Sequence, residues 1–182
     1  MGERVTISNV MMDIRRALFA LAVVAVVSVA PAHAGPFEDA VAATNQGDYA
    51  RALDILRPGA LHGHPDQPQM WDADSRAGFV IVADKLSDQL WNDGASDEVL
   101  KSHEADFVLA FEIASAHATS DVFVNWGMRY YLGKMYLFGT GVAEDGDHGE
   151  ALLRQVAESD DEQYKSRARD VLCVDQGLDE FC

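Results

Sequence analysis

Positive charge is scarce in this chain. Only 14 lysines and arginines stand against 30 aspartates and glutamates, which gives a formal net charge of −16 at pH 7. Nucleic acids and anionic lipid surfaces attract basic proteins, so this deficit argues against both as partners. An acidic surface serves solubility, and it also suits a partner that carries a basic segment.

No apolar run is long enough to cross a bilayer. The longest, Ala17–Ala30, has about 14 residues, whereas a spanning helix needs about 20. It follows Arg15 and Arg16 and precedes Ala32-His33-Ala34, as expected for the charged region, apolar region and cleavage site of a secretory signal peptide. We therefore expect cleavage after Ala34 and release into the periplasm or the extracellular space. An uncleaved signal anchor is the alternative.

No cysteine stands directly after the apolar run, so we expect no lipid anchor at this site. Translation could begin at Met1, Met11 or Met12, and the later starts would give a more compact signal. Cleavage would leave residues 35–182, which are enough for one domain with its own core. Without the signal, we expect no stable insertion of this domain into a membrane.

Cysteine is nearly absent, with two residues, Cys173 and Cys182. Their spacing is too long for a redox CxxC motif. An oxidising compartment favours a disulfide between them, which would attach the tail Val174–Phe181 to the last helix. A pair of free thiols is the alternative.

Strand-like patterning is also absent, because no segment of residues 35–182 sustains a two-residue alternation between hairpin turns. Apolar residues recur instead at helical spacing, which predicts an all-α fold. Pro58 predicts a kink or an early end in the second helix. About seven helices are expected. Six of them cover residues 36–45, 49–61, 69–91, 96–118, 150–159 and 160–172. The fifth in chain order follows a cap at residues 119–121 and ends before the glycine turn that begins at Gly139.

Two stretches of the chain share a motif of small and aromatic residues. The motif residues are Leu132, Gly133, Tyr136, Gly139, Gly141, Val142 and Ala151 in one stretch, and Asp48, Tyr49 and Ala52 in the other. This pattern resembles the Sel1-like repeat, a relative of the tetratricopeptide repeat. The resemblance implies a short solenoid of stacked antiparallel helix pairs that presents a surface to other proteins.

The resemblance is incomplete. Residues 65–120 do not match it and are expected to be either a diverged repeat or an insertion. Asp147 has the repeat's usual spacing to Ala151, yet Asp145 stands where the aspartate after Gly-Val normally falls. The loop before the sixth helix is therefore expected to be two residues longer than in typical repeats.

No residues form a recognisable catalytic or cofactor motif. His62 and His64, with Asp66 nearby, could bind a metal, but a solvated Pro/Gly loop is the favoured interpretation. Glu104 and Glu112 lie on a helix without a predictable cleft, so a glycan hydrolase stays an alternative without assigned catalytic residues. His103 and His117 are too far apart along that helix to share a metal.

Aromatic residues concentrate between Trp126 and Phe138. Core packing of most of these rings is the favoured interpretation. A helix cannot bury all of them, so Trp126 and Tyr130 are the candidate partner-binding residues. The sequence thus predicts an exported helical-repeat protein that acts as an adaptor or regulator through protein–protein interaction, without catalytic, cofactor or metal residues. An envelope enzyme and a periplasmic protein that binds a small ligand or a metal are the other possibilities.

Overall fold

The computed structural model describes residues 35–62, 68–118 and 125–182. Residues 35–182 make one compact unit. Every regular element in the described ranges is helical, which confirms the all-α prediction. The predicted signal peptide, residues 1–34, lies outside the described residues.

Eight α-helices and one 3-10 helix cover most of the described chain. They are α1 (Pro36–Asn45), α2 (Tyr49–His62), α3 (Pro68–Asn92), α4 (Asp97–Ser102), α5 (Glu104–Ala118), α6 (Trp126–Phe138), α7 (Gly146–Ala157), α8 (Glu162–Val174) and the 3-10 turn Asp179–Phe181. Within the described ranges this is one α-helix more than the sequence predicts.

The additional helix arises because the predicted fourth helix is interrupted at His103. The backbone of His103 leaves helical geometry at φ −105° and ψ 4°. Just before it, the Ser102 hydroxyl donates a hydrogen bond to the carbonyl of Val99 at 2.7 Å. Such local bonds compete with the helical ladder, and α5 begins anew at Glu104.

Capping side chains fix the starts of the last three helices. Asn125 accepts a hydrogen bond from the backbone of Met128, and Asp161 likewise caps α8. Asp145 caps α7, which therefore begins at Gly146 rather than at Glu150. The loop expected before Glu150 is thus shorter, because residues 146–149 belong to the first turn of α7.

Pro58 does not end its helix early, since α2 continues to His62. Proline removes one hydrogen bond from the ladder. The helix nevertheless continues past it, and Ala60 is buried. The carbonyl of Ala60 also accepts a hydrogen bond from Arg76 Nε at 3.2 Å.

The helices stack in chain order around one continuous core. Each packs on the next, except that α3 passes over the short α4 and packs on α5. Repeat proteins gain their stability from such contacts between neighbours. The largest fully buried apolar side chains are Phe79, Leu53, Leu56, Leu153, Leu172, Val80 and Val156.

Two glycines lie where α6 crosses α7. A Cβ at Gly149 would lie 2.7 Å from the carbonyl oxygen of Gly133, and a Cβ at Gly133 would lie 2.9 Å from Leu153 Cγ. Neither position leaves room for a side chain. Ala151, which the repeat pattern suggests for this helix, is exposed, and Gly149 occupies the crossing instead.

The tail is attached to the stack by the predicted disulfide. Cys173 and Cys182 are bonded, with their Cα atoms 5.1 Å apart. Arg154 on α7 adds a salt bridge to Glu180 at 3.0 Å and lies over the Phe181 ring. The tail therefore contacts both of the last two helices.

Candidate interaction groove

A groove of about 540 Å³ opens where α3, α5 and the turn after α6 meet. Three segments form it: the end of α3, the residues from α4 into α5, and the glycine turn 138–143. Its lining residues are Ser87, Trp91, Leu100, Lys101, Glu104, Phe107, Val108, Phe138, Gly139, Thr140, Gly141, Val142 and Ala143. The volume falls in the range of about 300–1,000 Å³ that is typical of ligand sites.

The glycine turn forms one wall because it lies directly against α5. Gly139 ends α6 in the left-handed conformation at φ 68°. Gly141 has φ 72°, and a Cβ there would overlap the carbonyl group of Phe107. Between the two glycines, the hydroxyl oxygens of Thr140 and Ser87 lie 3.3 Å apart, which joins the turn to α3.

Large apolar side chains stand exposed at the groove. Trp91 is 78% exposed, Phe138 is 48% exposed and Val108 is 38% exposed. A single exposed apolar residue is ordinary on a protein surface, but a cluster around a concave site marks an interaction surface. We call Trp91, Val108 and Phe138 the groove triad.

Trp91 is exposed because of its position around the axis of α3. Phe79, Val82 and Leu86 are buried along one face of this helix, and Leu90 continues it partly buried. Trp91 follows Leu90 by one residue, which turns its side chain about 100° away from that face. The position of this tryptophan beside the buried stripe is a sequence signal that could have marked Trp91 as exposed, although not the groove around it.

Tyr130, a predicted partner-binding residue, lies in the core and is 7% exposed. Its ring packs on Tyr131 and Tyr164, with ring centroids 5.1 Å and 5.8 Å away. Helix α6 contacts α3, α5, α7 and α8, so nearly all its faces are covered. The ring is therefore not available to a partner in this fold.

Trp126, the other predicted residue, is partly buried at the start of α6. Its indole Nε1 donates a hydrogen bond to Asp160 at 3.1 Å, and Arg129 lies over its ring. The structure thus gives Trp126 intramolecular partners on two sides. It does not line the groove.

A buried lysine near the Tyr130 ring forms salt bridges to two aspartates of α3. Lys134 Nζ is 2.7 Å from Asp84 and 3.0 Å from Asp88, which joins α6 to α3. Burial by itself lowers the pKa of Lys134, but the charge and the hydrogen bond of Asp84 outweigh it, so this pKa is raised. Burial also raises the pKa of Tyr130 to about 12 and raises that of Tyr131.

The repeat-motif residues divide between core and turn. Buried positions are Ala52, Leu132 and Gly133, while Tyr49, Tyr136, Gly139, Gly141 and Val142 are partly buried and Asp48 is exposed. The motif's turn residues are thus the ones that line the groove. Asp48 accepts a hydrogen bond from the backbone of Arg51 at the start of α2.

The acidic and histidine side chains considered for chemistry are dispersed. Glu104 lines the groove, and Glu112 is exposed further along α5. His103 Nδ1 lies 3.9 Å from Asp106. The side chain of His62 and all of His64 lie outside the described residues. Among those described, no three histidines, cysteines or carboxylates come together as metal ligands.

No family model matches this chain, and no curated protein or solved structure does so either. The Sel1-like resemblance therefore rests on its motif residues. Among the described residues, no helix combines the length and the apolar character that crossing a membrane requires.

Proposed function

We propose that this protein is an exported helical-repeat protein of the Sel1-like type that works by binding another protein in the bacterial envelope, as an adaptor or regulator. The groove triad is its contact surface. The proposal transfers the predicted partner-binding role from Trp126 and Tyr130 to Trp91, Val108 and Phe138.

The single observation that carries this proposal is the exposure of Trp91 beside a concave site. Tryptophan is enriched among the residues that dominate binding energy at protein interfaces. Leaving most of its ring in water forgoes the roughly 1.5–3 kcal/mol that burying a large apolar side chain contributes. A partner that covers the ring would recover this free energy.

The construction of the groove also supports a binding role. Rigid elements make its walls, since Gly141 lies against the backbone of α5 and Thr140 meets Ser87 on α3. A preformed site loses less entropy on binding than a mobile loop does. The partly buried turn of the repeat motif thus has a role in shaping the surface as well as in ending α6.

The test is cross-linking in the native cells, with partners identified by mass spectrometry. Trp91→Ala is compared with Leu61→Ala, a variant at an exposed residue of α2 that lies outside the groove. We expect one reproducible partner for the unaltered protein and for Leu61→Ala, and its loss for Trp91→Ala with the helical content unchanged. Equal partner recovery from both variants would refute the proposal.

A further inference from the structure

Acidic residues are frequent in the segments that form the groove. Asp93 follows Trp91 by two residues, and both are exposed. Glu104 lines the groove itself. Glu144 is exposed and directly follows the lining residue Ala143, and Asp97 and Glu98 are exposed shortly before the lining residue Leu100 in the chain. We call these five carboxylates the acidic rim.

One basic side chain, Lys101, is among the lining residues, so the rim keeps a strong excess of negative charge. The rest of the chain does not compensate for it, because the net charge is −16. Charges around an interface steer the approach of a partner and fix its orientation. The groove therefore combines an apolar floor with an acidic border.

We infer that the groove binds a basic amphipathic segment of a partner protein. Apolar side chains of that segment cover Trp91 and Phe138, and its lysines or arginines face the acidic rim. This inference rests on the proposed function and narrows it to one chemical class of partner. An arginine or lysine of the segment can also stack on the exposed indole of Trp91, since cations are attracted to the faces of aromatic rings.

A second copy of this chain fits the groove poorly. In a dimer, the acidic rim of one copy would face either the rim or another acidic surface of the second copy. No positive charge would compensate for this contact. Like charges placed opposite each other across an interface oppose association. Charge complementarity instead selects a segment of opposite sign.

The test measures the binding of three labelled synthetic peptides to the protein purified after expression of the full gene. One peptide combines leucines and lysines at helical spacing. In the second the leucines become serines, and in the third the lysines become glutamates. We expect the leucine–lysine peptide to bind at least about tenfold more tightly than either control, with an affinity that falls as salt is added.

Matched variants separate the groove from bulk charge. Trp91→Ala should weaken the leucine–lysine peptide by about tenfold or more, and Leu61→Ala should leave its affinity unchanged. On α5, Glu104→Gln should weaken it by about two- to threefold, whereas Glu112→Gln, an equal loss of charge outside the groove lining, should not. Equal binding to Trp91→Ala and Leu61→Ala would overturn the inference, since it would show attraction to net charge alone.

The remaining outcomes distinguish the inference from the proposed function. Tighter binding of the glutamate peptide would refute a basic partner segment and leave the proposed function standing. The same holds if no peptide binds while a partner in cells still depends on Trp91. A dimer in sedimentation that Trp91→Ala dissociates would make a second copy the occupant and would also overturn the inference. If neither peptides nor cellular partners depend on Trp91, both proposals fail.

Discussion

At the scale of single residues, the fold depends on positions where no side chain fits. Gly149 and Gly133 let α6 and α7 touch backbone to backbone, and Gly141 does the same for the turn against α5. A change of rotamer cannot relieve a steric contact with a carbonyl oxygen. A methyl group at these sites therefore forces the backbone to shift, which lowers the stability of the fold.

Gly149→Ala should destabilise the protein by about 1–3 kcal/mol, because its methyl group would press on the carbonyl of Gly133 and the backbone of Leu137. Gly146→Ala is the matched control on the same helix. A Cβ there meets nothing within 4 Å, and alanine favours the helix by up to about 1 kcal/mol. Urea unfolding measures both, and equal stabilities for the two variants would contradict this account of the crossing.

Alkaline pH should unfold the protein through its buried tyrosines. Tyr130 has a folded-state pKa of about 12, above its unfolded value of about 10. Its contribution to stability is therefore complete below about pH 10 and is lost as the pH rises through 12, at a cost of about 2–3 kcal/mol. The raised pKa values of Tyr131 and Lys134 act in the same direction.

Absorbance of tyrosinate and circular dichroism, recorded together against pH, check this expectation. The last tyrosines should ionise only as helix is lost, and Tyr130→Phe should raise the midpoint of the alkaline transition. Ionisation of all five tyrosines in a fully helical protein would contradict the burial of this cluster.

At the scale of elements, a few long-range polar contacts join helices that are not adjacent in the chain. Arg57 on α2 forms two hydrogen bonds, at 2.8 and 2.9 Å, to the buried carboxylate of Asp106 on α5. Hydrogen bonding to Asp106 raises the pKa of Arg57, against the effect of burial. Two parallel hydrogen bonds of this kind fix the orientation of the two side chains as well as the distance between them.

Asp106→Ala should cost about 1.5–3 kcal/mol, because it removes two charge-assisted hydrogen bonds. Arg57 is partly exposed and keeps its pair with Asp54 at 2.9 Å, which limits the loss. Asp54→Ala removes the other partner of the same arginine. Since Asp54 is exposed, this control should cost at most about 1 kcal/mol. Chemical unfolding that ranks the two variants in the opposite order would disprove the role given to Asp106.

Loss of the disulfide should cost about 2–3 kcal/mol, as expected for a short closed loop. The double variant Cys173→Ser/Cys182→Ser releases the tail while most of the helical stack persists. Hydrogen exchange should then accelerate in residues 175–182, where Leu178 donates to the carbonyl of Leu172. Unchanged protection of this amide in the double variant would show that other contacts suffice to hold the tail.

At the scale of the whole molecule, local signals were enough to predict the fold class. Pro36 and Gly139 mark helix ends in the sequence as in the structure, and helical spacing identifies the buried stripe of α3. The interruption at His103 was missed because it comes from a single non-helical residue within a continuous helical pattern. The start of α7 was missed because Asp145 could serve either as a loop residue or as a cap.

The groove could not be predicted because its residues converge only in the folded chain. Ser87 and Thr140 are 53 positions apart in the sequence, yet their hydroxyl oxygens lie 3.3 Å from each other. The burial of Tyr130 likewise depends on four helices that surround α6. Density of aromatic residues indicates an important helix, but tertiary packing decides which rings reach the surface.

The most direct test of the central claim is a scan with a photo-cross-linking residue in the native cells. It would replace each member of the groove triad in turn, and in parallel the exposed apolar residues Leu61 and Val174 outside the groove. We expect the same partner adduct from positions 91, 108 and 138, and none from 61 and 174. Adducts that come equally from all five positions, or only from the two controls, would contradict it.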